Sequence, residues 1–323
     1  MAVYLTYDNE SLTDGYGAQT LRIIGIFSLA KITRSKYIHS PITETIEEFS
    51  HNVQNQSELD SLTDRVNEFF ILPSDPAPKI FDNVATVRSL NFKYLIRILC
   101  RYKFSNKNIL LRVLLPYPCT ENFPSINKIA TRYIRRNNSE LFDARFRHEI
   151  VVHARLGYGQ KSEKTDRAAP RHLPLQYFVQ VIHLMHWKFS KKMIGKHIII
   201  HTDLAPETKY WKPTPKALDG LISFGENVFA KSILVEGNDI YPYFQALEEF
   251  SFEVRYCSDF FETFLDLACA KYLIMGRSTF SYLAALFNEG TVIYPDSHGH
   301  VKLKSWKSAS EIGMTTTYKL IPG

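Results

Sequence analysis

The chain contains few cysteines, and none of them occurs in a paired spacing. Only four are present among 323 residues, Cys100, Cys119, Cys257 and Cys269, and no Cys-x-x-Cys pair is formed. This distribution argues against a zinc knuckle and against a disulfide framework. It is typical of reduced thiols in the cytoplasm.

Long apolar runs are also missing. No stretch reaches the length needed to cross a membrane, and the first ten residues, MAVYLTYDNE, carry acids where a signal peptide has basic residues and an apolar core. We therefore expect a soluble, cytoplasmic protein without a signal peptide or transmembrane segment. Internal repeats and low-complexity tracts are likewise absent from the sequence.

The composition that remains is that of a globular protein. Hydrophobic residues make up 45% of the chain and charged residues 22%. A net charge of +6 mildly favours anionic partners such as nucleotide phosphates or an anionic membrane, although ordinary solubilising charge explains it equally well. The length exceeds that of most single cores, so we expect two domains.

Apolar strand candidates alternate with helix candidates along the chain. Strands are predicted at 3–7, 109–115, 149–153, 197–201, 231–235, 253–256, 272–275 and 291–294, with helical spacing between most of them. Such alternation predicts mostly parallel, doubly wound sheets that bind ligands beyond the carboxyl ends of their strands. A polar stretch after Arg155 places the domain boundary there, giving domains 1–155 and 156–323.

A glycine pair near the amino terminus is the first candidate site. Gly15 and Gly17 lie between a strand and a helix, where glycine allows close backbone approach to a ligand. A dinucleotide fingerprint would need a third glycine where Thr20 stands, and an acid where the next strand ends at His39-Ser40. The alternative is that the glycines only turn the chain.

The second candidate is the end of the strand at 149–153. Arg155 follows His153 there and precedes two glycines, so its guanidinium is expected to project from the carboxyl end of the strand and to bind two phosphate oxygens. The alternatives are a surface salt bridge for Arg155 and a core position for His153.

The third candidate is a turn rich in hydroxyl groups. The strand at 272–275 runs into Gly-Arg-Ser-Thr-Phe-Ser and then into a helix, so that hydroxyls and backbone N–H groups converge where anions bind well. The residues concerned are Arg277, Ser278, Thr279, Phe280 and Ser281. Plain helix capping by Ser278 or Thr279 is the alternative.

Taken in order, these segments resemble the fucosyltransferase superfamily of α1,2- and α1,6-fucosyltransferases and protein O-fucosyltransferases. The matching features are Gly-x-Gly-x-Gln at 15–19, His-x-Arg at 153–155, Leu-x-Tyr-Phe at 175–178, His-Thr-Asp at 201–203, Asp-Leu at 266–267 and Ser-Thr-Phe-Ser at 278–281. The resemblance implies a GT-B fold, two Rossmann-like domains facing across a cleft. It also implies an inverting glycosyltransferase that moves fucose from GDP-fucose to a glycan or glycoconjugate without a metal or other cofactor.

Roles can be assigned on this basis. Arg155 would stabilise the leaving diphosphate, and Asp14 would act as the general base, with Asp8 as second choice. The alternative is that both aspartates only form turns. Donor binding would fall to Gly15, Gly17, His153, Asp203, Arg277, Ser278, Thr279, Phe280 and Ser281. Metal ligands are not expected, since no Asp-x-Asp pair occurs. Asp266 is expected to hold the turn at 278–281 or to pair with Arg277.

The family resemblance and the charge pattern also indicate possible binding partners. Besides a nucleotide sugar and a carbohydrate acceptor, the basic and aromatic stretch 186–192 could contact an anionic membrane, although a solvated helix end explains it as well. Guanine recognition would involve Asp203, Glu236, Asn238 and Asp239. The alternatives are that Asp203 only ends its strand and that residues 237–239 only form a turn. No nucleic-acid partner is expected. A non-catalytic nucleotide-sugar-binding protein and a Rossmann oxidoreductase stay open as alternatives.

Overall fold

The computed structural model describes most of the chain. The described residues are 2–8, 15–43, 56–87, 92–113, 124–142, 146–155, 173, 175–189, 196–203, 210–213, 232–235, 250–256, 258–296, 298 and 300–314. The chain divides into two compact units, Met1–Asp143 and Ala144–Gly323.

The first unit contains a four-stranded parallel sheet. Its strands are β1 (Val3–Tyr7), β2 (Lys36–Tyr37), β3 (Asn83–Val87) and β4 (Ile109–Val113), in the order β2-β1-β4-β3. The helices are α1 (Tyr16–Thr33), α2 (Gln56–Phe69), α3 (Phe92–Lys103), α4 (Pro124–Asn137) and the short α5 (Ser139–Phe142).

Helix α1 forms the core of this unit. Every residue from Tyr16 to Ala30 is buried, which suits its largely apolar sequence. The residue after the helix, Arg34, adopts a left-handed conformation and donates its backbone N–H to Lys31 O. Helix α4 packs against α1, and Ser28 Oγ donates to Asn127 Oδ1 at 3.3 Å.

The second unit contains a six-stranded parallel sheet. Its strands are β5 (His148–Ala154), β6 (His197–Thr202), β9 (Ser251–Tyr256), β10 (Ala270–Ile274), β11 (Thr291–Tyr294) and β12 (Lys307–Ser308). A separate antiparallel pair is formed by β7 (Tyr210–Pro213) and β8 (Ser232–Val235). The helices are α6 (Leu175–Phe189), α7 (Phe260–Ala268) and α8 (Thr279–Phe287), with a 3-10 turn at Ser310–Ile312.

The strand order of this sheet is β12-β11-β10-β5-β6-β9. Starting from β5, the chain adds β6 and β9 on one side and then returns to add β10, β11 and β12 on the other. This is the 3-2-1-4-5-6 order of the dinucleotide-binding fold, and the direction reverses between β5 and β10. Apolar side chains of β5, β6 and α6, among them Ile150, Ile200 and Ile182, pack in one buried core.

These findings confirm the predicted α/β class with mostly parallel sheets. The division of the chain differs from the expected one, because β5 pairs with both β6 and β10 and is therefore a central strand of the second sheet. The strand that precedes Arg155 is thus the first strand of the second unit, whereas the sequence-based prediction assigned it to the end of the first domain. Among the described residues, no helix is both long and apolar enough to span a bilayer.

Candidate anion-binding site in the second unit

The reversal of strand order between β5 and β10 marks where a ligand site is expected. In open parallel sheets two loops separate at such a point and leave a crevice beyond the carboxyl ends of the strands. The two strands are paired directly, with Val152 opposite Ile274. Arg155 follows β5 and the 276–281 turn follows β10, so two of the three predicted segments meet at this edge.

Arg155 and Asp203 lie at the ends of adjacent strands. Arg155 is the first residue after β5 and Asp203 the first after β6, and Arg155 Nε lies 3.7 Å from Asp203 Oδ2. Their side chains are only 13% and 18% exposed. A carboxylate beside a largely buried guanidinium fixes the direction of the guanidinium.

His153 lies one residue before the end of β5 and is buried. Its Nδ1 has no hydrogen-bond partner among the described residues. Burial lowers the pKa of His153 to about 4, and the charges of Arg155 and His201 lower it further, against an opposing effect of Asp203. The imidazole is therefore neutral at physiological pH, so His153 adds a polar group beside Arg155 without a second positive charge.

Gly276 allows the turn after β10 to lie against the end of β5. A Cβ atom at this position would overlap the carbonyl oxygen of His153 and approach the backbone nitrogen of Arg155. On the other side of the turn, the ring of Phe280 lies 5.7 Å from the ring of His153. The turn and the strand end are thus held together by backbone contact and by ring packing.

The serines of the turn are used within the turn. Ser278 is the N-cap of α8, and its Oγ accepts the backbone N–H of Phe280 at 3.2 Å. Ser281 is fully buried, and its Oγ lies 3.0 Å from the carbonyl oxygens of both Gly276 and Ser278. Both hydroxyls therefore shape the turn, and Ser278 caps the helix, which is one of the two forms of the capping alternative.

The hydroxyl of Thr279 and the backbone N–H groups at the start of α8 lie at this turn, next to the side chain of Arg277. Thr279 is partly exposed, and its hydroxyl makes no hydrogen bond with the described part of the chain. Arg277 is partly buried. A helix amino terminus with a cation beside it favours binding of a phosphate.

The glycine segment lies in the first unit. Gly15 caps α1 with an extended backbone and without a side-chain cap, and its carbonyl oxygen accepts the N–H groups of Ala18 and Gln19. Gly17 is buried in the first turn of α1. Asp8 directly follows β1 and is 5% exposed. Asp14, the predicted base, lies outside the described residues.

The expectation for Asp266 was wrong. Instead of holding the 278–281 turn or pairing with Arg277, its buried carboxylate binds His201 Nε2 at 3.0 Å and Arg255 at 2.8 Å, with His148 Nε2 at 3.2 Å. Asp266 therefore ties α7 to strands of the sheet. Of the residues predicted to read guanine, Glu236, Asn238 and Asp239 lie outside the described residues, while Asp203 is engaged with Arg155.

Two histidines that were not among the predicted site residues lie beside the 276–281 turn. His298 and His300 follow β11, and the ring of His298 packs on Tyr294 and Tyr282, at centroid distances of 5.2 and 5.6 Å. The available signal was the position of two histidines shortly after the end of a buried strand.

Comparison with known proteins gives loose structural neighbours. No protein-family model matches the chain, and no curated protein matches it in sequence. POFUT1 in complex with GDP-fucose matches with a TM-score of 0.41 at 11% identity, over 90% of this chain and 94% of that one.

Two further solved structures also match most of this chain. The α-1,6-fucosyltransferase NodZ from Bradyrhizobium, with GDP, has a TM-score of 0.38 at 15% identity, over 93% and 96% of the two chains. The E. coli heptosyltransferase WaaC, with ADP, has a TM-score of 0.40 at 10% identity, over 98% and 97%.

Proposed function

We propose that the chain is a GT-B glycosyltransferase that binds a nucleoside-diphosphate sugar on its second unit and transfers the sugar to a hydroxyl of a carbohydrate acceptor. One observation carries the proposal: Arg155 and the 276–281 turn meet at the point where the strand order reverses. A cation, a hydroxyl and a helix amino terminus at one strand edge are suited to binding a diphosphate.

The chemistry requires these groups on the side of the leaving group. In an inverting transfer the acceptor oxygen bonds to the anomeric carbon while the bond from that carbon to the diphosphate oxygen breaks, and a base takes the acceptor proton. Negative charge grows on the departing diphosphate, where a positioned guanidinium and N–H groups stabilise it most. We propose Arg155 for this role, with Asp203 holding the guanidinium in place.

The sugar, the base and the absence of a metal belong to the proposal as well. The resemblance of the motifs to fucosyltransferases makes GDP-fucose the first donor to test and Asp14 the first base, followed by Asp8. Transfer without a metal predicts full activity in excess EDTA. Loss of activity in EDTA that added Mg²⁺ or Mn²⁺ restores would contradict that part.

A second candidate is a dinucleotide-binding enzyme. The strand order of the second unit and the position of Asp203 at the end of β6 both suit a ribose-binding acid. The proximity of Asp203 to Arg155 favours the diphosphate proposal, because a carboxylate engaged with a guanidinium is a weaker acceptor for ribose hydroxyls.

A ligand panel followed by turnover separates these candidates. Calorimetry would measure binding of GDP, UDP, dTDP, CMP and NAD to the wild-type protein and to Arg155→Ala. Arg147→Ala is the matched control, since Arg147 precedes the opposite end of the same strand. We expect GDP binding that Arg155→Ala weakens and Arg147→Ala retains, and release of GDP from GDP-fucose in the presence of a glycan acceptor. Binding of NAD alone would contradict the proposal, and GDP binding without turnover would indicate a non-catalytic binding protein.

A further inference from the structure

Positive charge is concentrated in one part of the first unit. Between Asn83 and Thr120 the sequence has seven arginines and lysines but no aspartate or glutamate, although the whole chain has 33 acids. This stretch includes α3, which carries Arg101 and Lys103 in its last turn. A long segment with charge of a single sign favours a partner of the opposite charge.

Two loops of the first unit are held together where β3 and β4 begin. Asp82, just before β3, accepts the backbone N–H of Asn108 with Oδ2 at 2.7 Å and donates its own backbone N–H to Asn108 O at 2.9 Å. Asn108 directly precedes β4, and its Oδ1 accepts the backbone N–H of Ala2 at 3.1 Å. Residues 79–82 and 103–108 therefore form one surface at the amino ends of the strands, which we call the amino-edge surface.

Each of these two loops exposes a large apolar side chain. Phe104 is 90% exposed and Ile80 is 81% exposed, more than any other large hydrophobic residue in the described part of the first unit. The loops themselves are anchored, since the ring of Phe81 packs against that of Tyr4 at 5.3 Å. Apolar side chains exposed on anchored loops gain free energy when they enter an apolar phase.

Lysines flank both apolar side chains. Lys79 precedes Ile80 and Lys107 lies three residues after Phe104, and both lysines are exposed. Their side chains make no ion pair or hydrogen bond with the part of the chain that the structure describes. Asp82 is the one acid of the amino-edge surface, and its carboxylate is already engaged with Asn108.

The end of α1 adds further positive charge beside this surface. Lys103, directly before Phe104, donates from Nζ to Thr33 O at 2.8 Å and so joins the end of α3 to the end of α1. Lys31 and Arg34, on either side of Thr33, are both exposed. The two exposed apolar side chains thus lie among basic groups from three segments of the chain.

We propose that the amino-edge surface docks on an anionic lipid bilayer, with Phe104 and Ile80 inserted among the headgroups and the neighbouring lysines against lipid phosphates. Peripheral membrane proteins combine inserted apolar area with attraction to anionic headgroups in this way. The aliphatic side chain of Ile80 favours a lipid over a nucleic acid, because it has no ring on which a base can stack. The inference does not depend on the proposed function, and docking at the strand starts leaves the carboxyl ends of the same strands open to ligands.

Sedimentation of the full chain with vesicles tests the apolar part of this inference. The vesicles are made of phosphatidylcholine with about one third phosphatidylserine, and vesicles of phosphatidylcholine alone serve as the neutral comparison. We expect binding to the anionic vesicles that weakens as salt is added. Phe104→Ser should weaken this binding about tenfold. Trp187→Ser is the matched control, because Trp187 is an aromatic residue of the second unit that is 83% exposed, and it should bind as the wild type does.

Two double variants with the same change in net charge test the electrostatic part. Lys79→Glu with Lys107→Glu changes the amino-edge surface, whereas Lys128→Glu with Arg132→Glu changes the exposed face of α4. We expect the first pair to weaken vesicle binding about tenfold or more and the second to stay within about threefold of the wild type. All four side chains are exposed, so thermal unfolding should show both proteins folded.

Three results would overturn the inference. Wild-type vesicle binding in Phe104→Ser would show that no apolar insertion occurs. Equal losses in the two double variants would mean that overall charge, and not this surface, attracts the bilayer. Absence of vesicle binding together with tight binding of a single-stranded oligonucleotide would assign the basic surface to a nucleic acid.

Discussion

Arg155 and Asp203 extend from the ends of two adjacent strands, and Arg155 Nε lies 3.7 Å from Asp203 Oδ2. The pair places a guanidinium whose direction is fixed by a carboxylate beside the turn that follows β10. Because the strands are parallel and in register, with Ala154 opposite Thr202, the relationship follows directly from sheet pairing.

Substitution of Arg155 should separate binding from turnover. With GDP-fucose as donor, Arg155→Ala is expected to lower kcat about 10²-fold to 10³-fold, because the leaving diphosphate loses its main cation. Arg155→Lys should recover part of the rate, since a lysine keeps the charge without the bidentate geometry. Steady-state release of GDP measures both. A kcat in Arg155→Ala equal to that of Arg147→Ala would show that the cation is not needed.

The buried, neutral His153 makes the stability of the protein dependent on pH. Its folded-state pKa of about 4 lies below the ordinary value of 6.5, so the unfolded chain binds more protons between these pH values. Stability should therefore fall as the pH is lowered from 6.5 towards 4, by up to about 3 kcal/mol from this group. Urea denaturation at several pH values, on the wild type and on His153→Gln, tests this prediction. A pH dependence that is the same in both proteins would contradict it.

Much of the second unit was predictable from the sequence. The strand predicted at 291–294 is found at Thr291–Tyr294, and that at 197–201 is found at His197–Thr202. These strands are buried on both faces, so their apolar runs give a strong signal. The meeting of Arg155 with the turn after β10 also follows from the rule for parallel sheets.

Other elements gave weaker signals. Strand β3 and helix α3 were not predicted. Strand β3 lies at the edge of its sheet, most of its residues are exposed, and its sequence lacks an apolar alternation. The partners of Asp266 could not be inferred either. Sequence proximity suggested the 278–281 turn, but the helix directs this carboxylate towards His201 and Arg255, which are brought close only by the tertiary fold.

The carboxylate of Asp266 should be a major contributor to the stability of the second unit. Burial alone would raise the pKa of Asp266, but the hydrogen bond from His201 and the charges of His148 and Arg255 outweigh it, so the pKa lies below the usual value of 3.8. Its contribution to stability is therefore present above the unfolded-state pKa and is lost as the pH falls through the folded-state pKa.

We expect Asp266→Asn to lower the free energy of unfolding by about 2–3 kcal/mol at neutral pH, because His201 and Arg255 lose a charged acceptor while Arg255 keeps Glu253 and Glu262. Asp259→Ala is the matched control on the same helix. Asp259 caps α7 by accepting the N–H groups of Phe261 and Glu262, and its loss should cost only about 1 kcal/mol. Chemical denaturation measures both variants, and equal losses would show that the buried network adds little.

A methyl group at residue 276 should disturb the candidate site with little change elsewhere. In Gly276→Ala the added Cβ overlaps the carbonyl oxygen of His153, so the turn must move away from the end of β5. We expect a loss of stability of about 1–3 kcal/mol, typical of overpacking, and a loss of GDP affinity that exceeds the loss in Ser281→Ala. Ser281→Ala is the comparison because it removes the hydroxyl that donates to the carbonyl oxygens of the same turn without pushing the turn away from Arg155. Thermal unfolding and calorimetry with GDP measure the two effects. Wild-type GDP affinity in a folded Gly276→Ala protein would mean that the approach of the turn to β5 is not required for binding.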